Sequence, residues 1–274
     1  MRREVEVPAV RRGGPTDDTM VREEPLTVRV AARGGDATPV WTTLRTPGHD
    51  LDLALGWCVA EGLVTSLADV VDVHHCTTPA GDADPNTVTV RLDLDEVMDL
   101  DRLRRSGSST AACGLCGRDE LHALLDRCPP GSHVMACTSL TVLSELADDL
   151  LRHQPLFATT GGCHAAALTT GTGHVIAVRE DVGRHNAVDA VIGAAVRAGQ
   201  QADVLLLSGR AGFELVAKAV AARIPVIASV GASTDLAVRT AAAAGCTLVT
   251  FVGRDHGGTV LTGAERLDLT GAPT

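Results

Sequence analysis

The sequence predicts an α/β fold preceded by a smaller α+β module, and three features carry that prediction. Between residues 204 and 252, short apolar runs alternate with glycine-bearing loops and helical stretches, the pattern of β-loop-α units in a parallel sheet covered on both faces. Between residues 22 and 100 the strands instead alternate apolar and polar residues around one helical stretch, which suits a sheet with one wet face. Finally, the chain of 274 residues is 45% hydrophobic and 21% charged, with two Trp, three Phe and no Tyr. It can therefore bury a large core, built from Ala, Val, Leu and Ile.

The same composition excludes several function classes. Few aromatics leave no platform for stacking single-stranded bases, and a formal charge of −10 disfavours a nucleic-acid partner. No apolar run approaches the ~20 residues of a membrane helix, and residues 1–19 lack the apolar stretch of a secretory signal. No membrane association is expected. Eight cysteines without such a signal fit free thiols in a reducing cytoplasm. Lys218 is the single lysine among 24 basic residues.

Residues 1–21 are polar, contain Gly13-Gly14-Pro15 and are expected to be disordered. Residues 22–100 form the small α+β module. Leu26 to Val30 alternates as a half-buried strand, and after the Gly34-Gly35 turn Val40 to Leu44 completes a hairpin. Thr46-Pro47-Gly48-His49 leads into a helix with Asp50 as its cap and Leu51, Leu55, Val59 and Leu63 on one face. Strands follow at 70–75 and 87–92. His74-His75-Cys76 has ligand chemistry, but neighbours on a strand face opposite ways, so no metal is expected there.

Residues 101–138 hold the stretch around which the chain is organised, Ala112-Cys113-Gly114-Leu115-Cys116-Gly117-Arg118. A mobile loop, Ser106 to Thr110, precedes it, and Arg118 onward reads as a helix start. A thiol beside a helix N-terminus and an arginine has a lowered pKa and more thiolate. The spacing alone fits half a zinc site, a redox pair or a sulfur-handling nucleophile. Cys128, Cys137, His122 and His133 are near enough in sequence to complete a zinc set. Cys128-Pro129-Pro130-Gly131 reads as a turn, however, and no strand leads into the first pair as a thioredoxin-like motif requires.

Residues 139–266 form the α/β core. A helix from Ser139 or Thr141 to Leu150 places Leu143, Leu146, Leu150 and Leu151 on one face. Phe157 to His164 is a turn-rich loop, followed by strands at 165–168 and 174–178. The polar cluster Arg179 to Asn186 then stands as a loop before a helix bearing Val188, Val191, Ile192 and Val196. Such loops at strand C-termini are where α/β folds place sites. Strands at 204–207, 226–229 and 246–252 alternate with helices at 213–223 and 235–244. Ser208-Gly209-Arg210 and Ser229-Val230-Gly231 suit phosphate, with free N–H groups, hydroxyls and an arginine fork. Neither a Walker loop nor G-x-G-x-x-G is present, which argues against ordinary ATP or NAD binding. After residue 251 come a polar turn, a final short strand and a tail, 267–274, expected to fray.

Taken together these segments resemble one family. Glu23-Glu24-Pro25-Leu26, Arg45-Thr46-Pro47-Gly48, Leu53-Ala54-Leu55-Gly56 with Glu61-Gly62, the Cys113 to Gly117 loop and Thr160-Gly161-Gly162 with His164-Ala165-Ala166 are similar to its signatures. So are Arg179 through Ala187, Ser208-Gly209-Arg210 with Phe213-Glu214, and Ile224-Pro225-Val226 with Ala228-Ser229-Val230. The family is FdhD, the formate dehydrogenase accessory sulfurtransferases, and the likeness runs from about residue 23 to 262.

The resemblance implies a cytidine-deaminase-like three-layer core and a cytoplasmic homodimer. It implies a sulfurtransferase that accepts persulfide sulfur from a cysteine desulfurase on Cys113. That sulfur passes to the molybdenum of bis-molybdopterin guanine dinucleotide (Mo-bis-MGD), bound as substrate and required by formate dehydrogenase. Cys116 either helps release the sulfur by forming a disulfide or tunes the first thiol. The family's cofactor stretch falls on Phe251, Val252, Gly253, Arg254, Asp255 and His256. Arg184 and Arg210 join Arg254 as candidates for the pyrophosphates and guanine ends, with Gly161, Gly162, His164, His185, Asn186, Ser208, Gly209 and Ser229 as further cofactor-binding candidates. Gly253 and Cys163 stand where the family usually has an arginine and an aliphatic residue or Thr. Deaminase zinc chemistry needs His-x-Glu and Pro-Cys-x-x-Cys; the first is absent and Ala112 precedes the cysteine pair, so no metal held by side chains is expected. The alternatives are a zinc-dependent deaminase-like protein and a non-catalytic molybdenum-cofactor chaperone.

Overall fold

The computed structural model describes residues 2–11, 14–78, 80–95, 138–253 and 257–269. Its most regular part follows the apolar runs read above. Strands β10 (Val204–Leu207), β11 (Val226–Ser229) and β12 (Thr247–Thr250) are buried at every position, as strands covered on both faces must be. They pair in parallel. The sheet is nevertheless mixed. Strand β8 (His164–Thr169) joins β10 antiparallel, β9 (Val175–Asp181) pairs antiparallel with β8, and β13 (Thr259–Thr262) closes the other edge antiparallel to β12. The order is β13-β12-β11-β10-β8-β9. The parallel sheet expected over residues 204–252 is present in β10, β11 and β12; β8, β9 and β13, outside that stretch, extend it through antiparallel pairings. β8 and β9 are joined by the short Thr170 to His174 turn, which allows only antiparallel pairing.

Helices cover both faces. On one side lie α4 (Arg184–Arg197), α5 (Phe213–Ala221) and α6 (Asp235–Ala244). On the other lies α2 (Leu140–Arg152), capped by Ser139, whose Oγ accepts from Val142 N at 3.1 Å. α2 presents Leu140, Leu143, Leu146 and Leu150 to Ala165, Ala167, Val204, Leu206 and Val226. Leu151, expected on that face, is 60% exposed, because consecutive helical residues point about 100° apart. A short helix, α3 (Pro155–Thr160), occupies part of the expected loop before β8 and ends at Gly161 with φ +63°, a conformation glycine adopts without strain.

Ahead of this core, β3 (Glu24–Ala31), β4 (Thr38–Arg45), β5 (Val70–Thr77) and β6 (Ala83–Leu92) form a sheet in the order β4-β3-β6-β5. Helix α1 (Asp50–Ala60) packs between that sheet and α4, so almost every side of it is buried. One apolar core runs from Leu26, Val28 and Val90 through Leu53 and Leu55 to Leu205 and Ile227. At the α1–α4 crossing, a Cβ on Gly56 would lie 1.7 Å from the Asp189 carbonyl oxygen, and one on Gly193 would lie 1.9 Å from that of Asp52. Only glycine permits this approach.

Asp50 does not cap α1: His49 is the N-cap residue, without a side-chain cap bond. Asp50 instead accepts from fully buried Arg45 at 2.6 Å. Two ends also depart from expectation. Residues within 1–21 form a hairpin, β1 (Glu4–Arg11) with β2 (Gly14–Val21). It has no core of its own and is held from its base, so hydrophobic patterning gave no sign of it. At the other terminus Leu267–Asp268, within the stretch expected to fray, form β14, which pairs in parallel with β7 (Thr138–Ser139) and buries Leu267.

Candidate active site

The parallel strands end together, and their C-terminal loops open on a cleft of about 710 Å³. Ser208 and Gly209 follow β10, Val230 follows β11, and Val252 and Gly253 lie past the end of β12. β8 runs the other way, so its N-terminal end brings Cys163 and His164 to the same rim. The facing wall comes from α2 and α3: Asp148, Leu151, Gln154 and Phe157, then Gly161 and Gly162. The loops are laced by backbone bonds, Val230 N to Leu207 O at 3.0 Å, Gly231 N to Gly209 O at 3.1 Å and Val252 N to Ser229 O at 3.1 Å. A Cβ on Gly231 would lie 3.0 Å from the Gly209 carbonyl carbon and the Arg210 nitrogen, so glycine sets how closely these loops approach.

Seven sequence-derived candidates therefore meet in one place: Gly161, Gly162, His164, Ser208, Gly209, Val252 and Gly253. Ser208 Oγ accepts from Ala165 N at 2.9 Å, tying the β10 loop to β8. His164 faces Gly209, whose added Cβ would be 3.5 Å from its Nδ1. Burial, then the charges of Arg184 and His185, lower the His164 pKa. It is held neutral near pH 7, able to donate and accept one hydrogen bond each.

Other candidates lie outside the lining. Ser229 is fully buried and donates to Gly231 O at 2.8 Å; it shapes the β11 loop. Asn186 is a pin between regions, donating to Leu44 O at 2.8 Å and Asp181 Oδ1 at 3.0 Å. Arg184 and His185 open α4, whose N-cap is Gly183, and His185 pairs with Glu214 at the start of α5, whose N-cap is Gly212. Neither helix has a side-chain cap bond, so their N-termini present positive dipole ends on the α4–α5 side. Arg210 is exposed beside them. Phe251 stands at the cleft's edge in a left-handed conformation, φ +54°, costly for a bulky side chain and typical of functional positions. Cys113, Cys116, Arg254, Asp255 and His256 lie outside the described residues.

On the α2–α3 wall, Asp148, Leu151, Gln154 and Phe157 escaped sequence reasoning. Leu151 and Phe157 are exposed apolar residues there, and Gln154 is a buried polar one. The adjacent leucines 150 and 151 were the available signal, since one of them has to face away from the core. Beneath this wall Glu180, also buried, accepts from Leu156 N at 3.1 Å and Phe157 N at 2.8 Å, opening α3. The Cys163 thiol donates to the same carboxylate at 3.5 Å; burial and that carboxylate push it up to about 12. Cys163 is thus a protonated, inert thiol at neutral pH. Arg179 and Glu180, expected in a loop, lie within β9 with Asp181. Arg179 pairs with buried Asp52 at 2.8 Å, so each serves as a joint within the fold.

The family model that matches residues 21–268 is that of FdhD/NarQ. This chain belongs to the FdhD/NarQ family. Among its relatives, the sulfur carrier protein FdhD of Anaeromyxobacter dehalogenans is 44% identical, over 96% of this chain and 93% of that one. The sulfur carrier protein FdhD of Mycobacterium tuberculosis is 43% identical, over 91% and 92%. A crystal structure of a candidate formate dehydrogenase accessory protein from Desulfotalea psychrophila superposes with a TM-score of 0.74 at 20% identity, covering 97% of this chain and 98% of that one. That likeness establishes a shared fold. None of the helices among the described residues is long and apolar enough to cross a membrane.

Proposed function

We propose that this FdhD/NarQ chain is a cytoplasmic sulfur carrier, working as a homodimer, that takes sulfur from a cysteine desulfurase and hands it to Mo-bis-MGD for formate dehydrogenase. The observation that carries the reading is 44% identity across nearly the whole chain to a sulfur carrier protein. In the transfer, the Cys113 thiolate attacks the outer sulfur of the desulfurase persulfide. The S–S bond there breaks, the desulfurase cysteine leaves as thiolate, and Cys113 becomes Cys113–S–SH with no net redox change. Delivery as sulfide takes two electrons, which Cys116 supplies. Its thiolate attacks the Cys113 sulfur, a Cys113–Cys116 disulfide forms, and sulfide leaves for the molybdenum of the substrate.

The cleft supports the substrate assignment by its chemistry. Glycine-bearing loops at strand C-termini, the Ser208 hydroxyl and neutral His164 suit a nucleotide with its phosphates. Its volume lies in the range of about 300–1,000 Å³ for single-ligand pockets, the size for one guanosine diphosphate arm rather than the whole bis-cofactor. Phe157 lines the cleft and Phe251 adjoins the cleft-lining Val252, both with exposed rings that could stack a purine.

The test is intact mass after incubation with a cysteine desulfurase and cysteine, with and without reductant. The expected result is a reducible gain of one sulfur, about 32 Da, on Cys113, absent in Cys113→Ala. In Cys116→Ala the gain should persist and sulfide release should stop. No sulfur gain, with one zinc per chain instead, replaces this reading with a metal-dependent one.

A further inference from the structure

Among the described residues the β1–β2 hairpin joins no other sheet. Two strands alone are marginal in water, so what orders this ribbon is what its base touches. Arg22 N donates to Arg3 O at 2.8 Å at that base. The Arg3 side chain reaches across and donates from Nη2 to the backbone oxygen of Glu180 at 2.6 Å. On the way its stem passes over Gly48, whose added Cβ would be 3.6 Å from Arg3 Cδ. Its Nε is buried without a hydrogen-bond partner among the described residues, so this arginine gives up hydration to reach the joint. Val21, the last residue of β2, presses on Gly162: a Cβ there would lie 2.9 Å from Val21 Cγ1.

Both contacts fall on the wall of the cleft. Glu180 holds the first N–H groups of α3 and the Cys163 thiol through its carboxylate, while Arg3 holds its main chain. Gly162 lines the cleft directly. The hairpin lies almost wholly outside the family match, which begins at residue 21. We propose that this hairpin is a strap that positions the 155–163 wall of the cleft, with Arg3 as its fixing residue. Arg3 itself acts on ligand only through Glu180, and Val21 only through Gly162. The nucleotide readout below rests on the proposed use of the cleft; the labelling readout does not.

Three cysteines make the test internal. Cys163 sits in the wall, while Cys58 and Cys246 are buried in the main core. The full-length protein, Arg3→Ala, Arg3→Lys, Val21→Ala and a deletion of residues 2–20 are labelled with N-ethylmaleimide at pH 8.5, and each cysteine is mapped by mass. GDP is then titrated against each. The strap predicts that Cys163 labels about tenfold faster in Arg3→Ala and in the deletion, with Cys58 and Cys246 unchanged. The GDP Kd should rise by a similar factor, and Arg3→Lys, which keeps the charge and one donor, should recover part of both. Val21→Ala, the mildest change, should give a smaller rise confined to Cys163. Unchanged Cys163 labelling in the deletion overturns the proposal. So does labelling of all three cysteines in step, which would make the hairpin a general stabiliser. A wild-type protein that fails to bind GDP defeats the nucleotide reading alone and leaves the labelling result to decide the strap.

Discussion

The α1–α4 seam and the cleft use the same residue types for opposite ends. At the seam, Gly56 and Gly193 bring two backbones into contact, and buried Asp52 and Asp189 are neutralised by Arg179, Arg197 and Lys218. At the cleft, Gly161 and Gly209 leave room instead of filling it, and His164 keeps its ring toward the opening. Polar groups at the seam are spent on each other; those at the cleft stay available. What separates the two is whether a third element covers the junction, and that is decided by topology, not by local composition.

The largest effect expected from this contrast is at the seam. Gly56→Ala puts a methyl where the Asp189 carbonyl stands, and the two helices have to separate. A loss of roughly 3–5 kcal/mol, the range of severe core disruptions, should appear as a collapse of the denaturation midpoint or of soluble yield. Gly209→Ala, whose nearest neighbour is 3.5 Å away, should leave the midpoint within about 0.5 kcal/mol. Equal midpoints for the two variants would erase the distinction between the regions.

Lys218 comes next. Its Nζ donates to both oxygens of Asp189 at 2.7 and 2.8 Å, and Asp189 is fully buried, so burial raises its pKa while Lys218 opposes the shift. Lys218→Met strands that carboxylate and should cost about 3–5 kcal/mol, whereas adding Asp189→Leu should recover most of the loss. Urea denaturation of the two single variants and the double closes the cycle. A double variant as unstable as Lys218→Met would show that the pair is not the source of the cost.

At the cleft the same kind of change should touch binding and spare the fold. Gly209→Val fills the space before His164 and is expected to weaken GDP binding at least about tenfold, roughly 1.4 kcal/mol, with thermal unfolding nearly unmoved. Calorimetric titration beside a melting curve tests this, and a melting point that falls together with affinity would assign Gly209 to the frame.

The strands β10, β11 and β12 and helices α2, α4, α5 and α6 were legible because apolar period and glycine punctuation are local. Ser208 and Gly209 were legible too, since loops after parallel strands converge in an α/β sheet, whereas Gly161, Gly162, His164, Val252 and Gly253 came with the family resemblance. The hairpin was not: its order comes from Arg3 and Val21 at the base, contacts with residues more than a hundred positions away. Nor was the sorting of charges. Arg179 and Arg184 stand five apart in one polar run, yet Arg179 is held by Asp52 in the seam while Arg184 opens α4 near His164. No residue-level pattern distinguishes them, because the partner that decides lies on α1.

The smallest effect sharpens the boundary between the regions, where the Arg45 to His49 loop meets β9. Asp181 accepts from Thr46 N at 3.0 Å, Gly183 N at 2.8 Å and Asn186 Nδ2 at 3.0 Å. Burial outweighs these bonds and raises its pKa to about 6. Nearby His49 goes the other way, lowered to about 4 by burial first and then by Arg179 and Arg3. The signs oppose. A carboxyl whose folded pKa is raised keeps more protons in the native state, so its contribution falls as pH rises from about 4 to about 6. A histidine whose folded pKa is lowered binds its proton in the unfolded chain first, so its contribution falls as pH drops from about 6.5 to about 4. Each is worth roughly 1–2 kcal/mol after screening is discounted, and wild-type stability should change little on their account across that window. His49→Gln removes one arm: stability should then rise by about 1 kcal/mol on going from pH 6 to pH 4.5, relative to wild type. Asp181→Asn removes the other and should steepen the acid loss by a similar amount, beyond any constant offset from its altered bonds. Denaturant midpoints at pH 4.5, 5.2, 6 and 7 decide it, since two variants that shift in the same direction with pH cannot both sit at a junction balanced in this way.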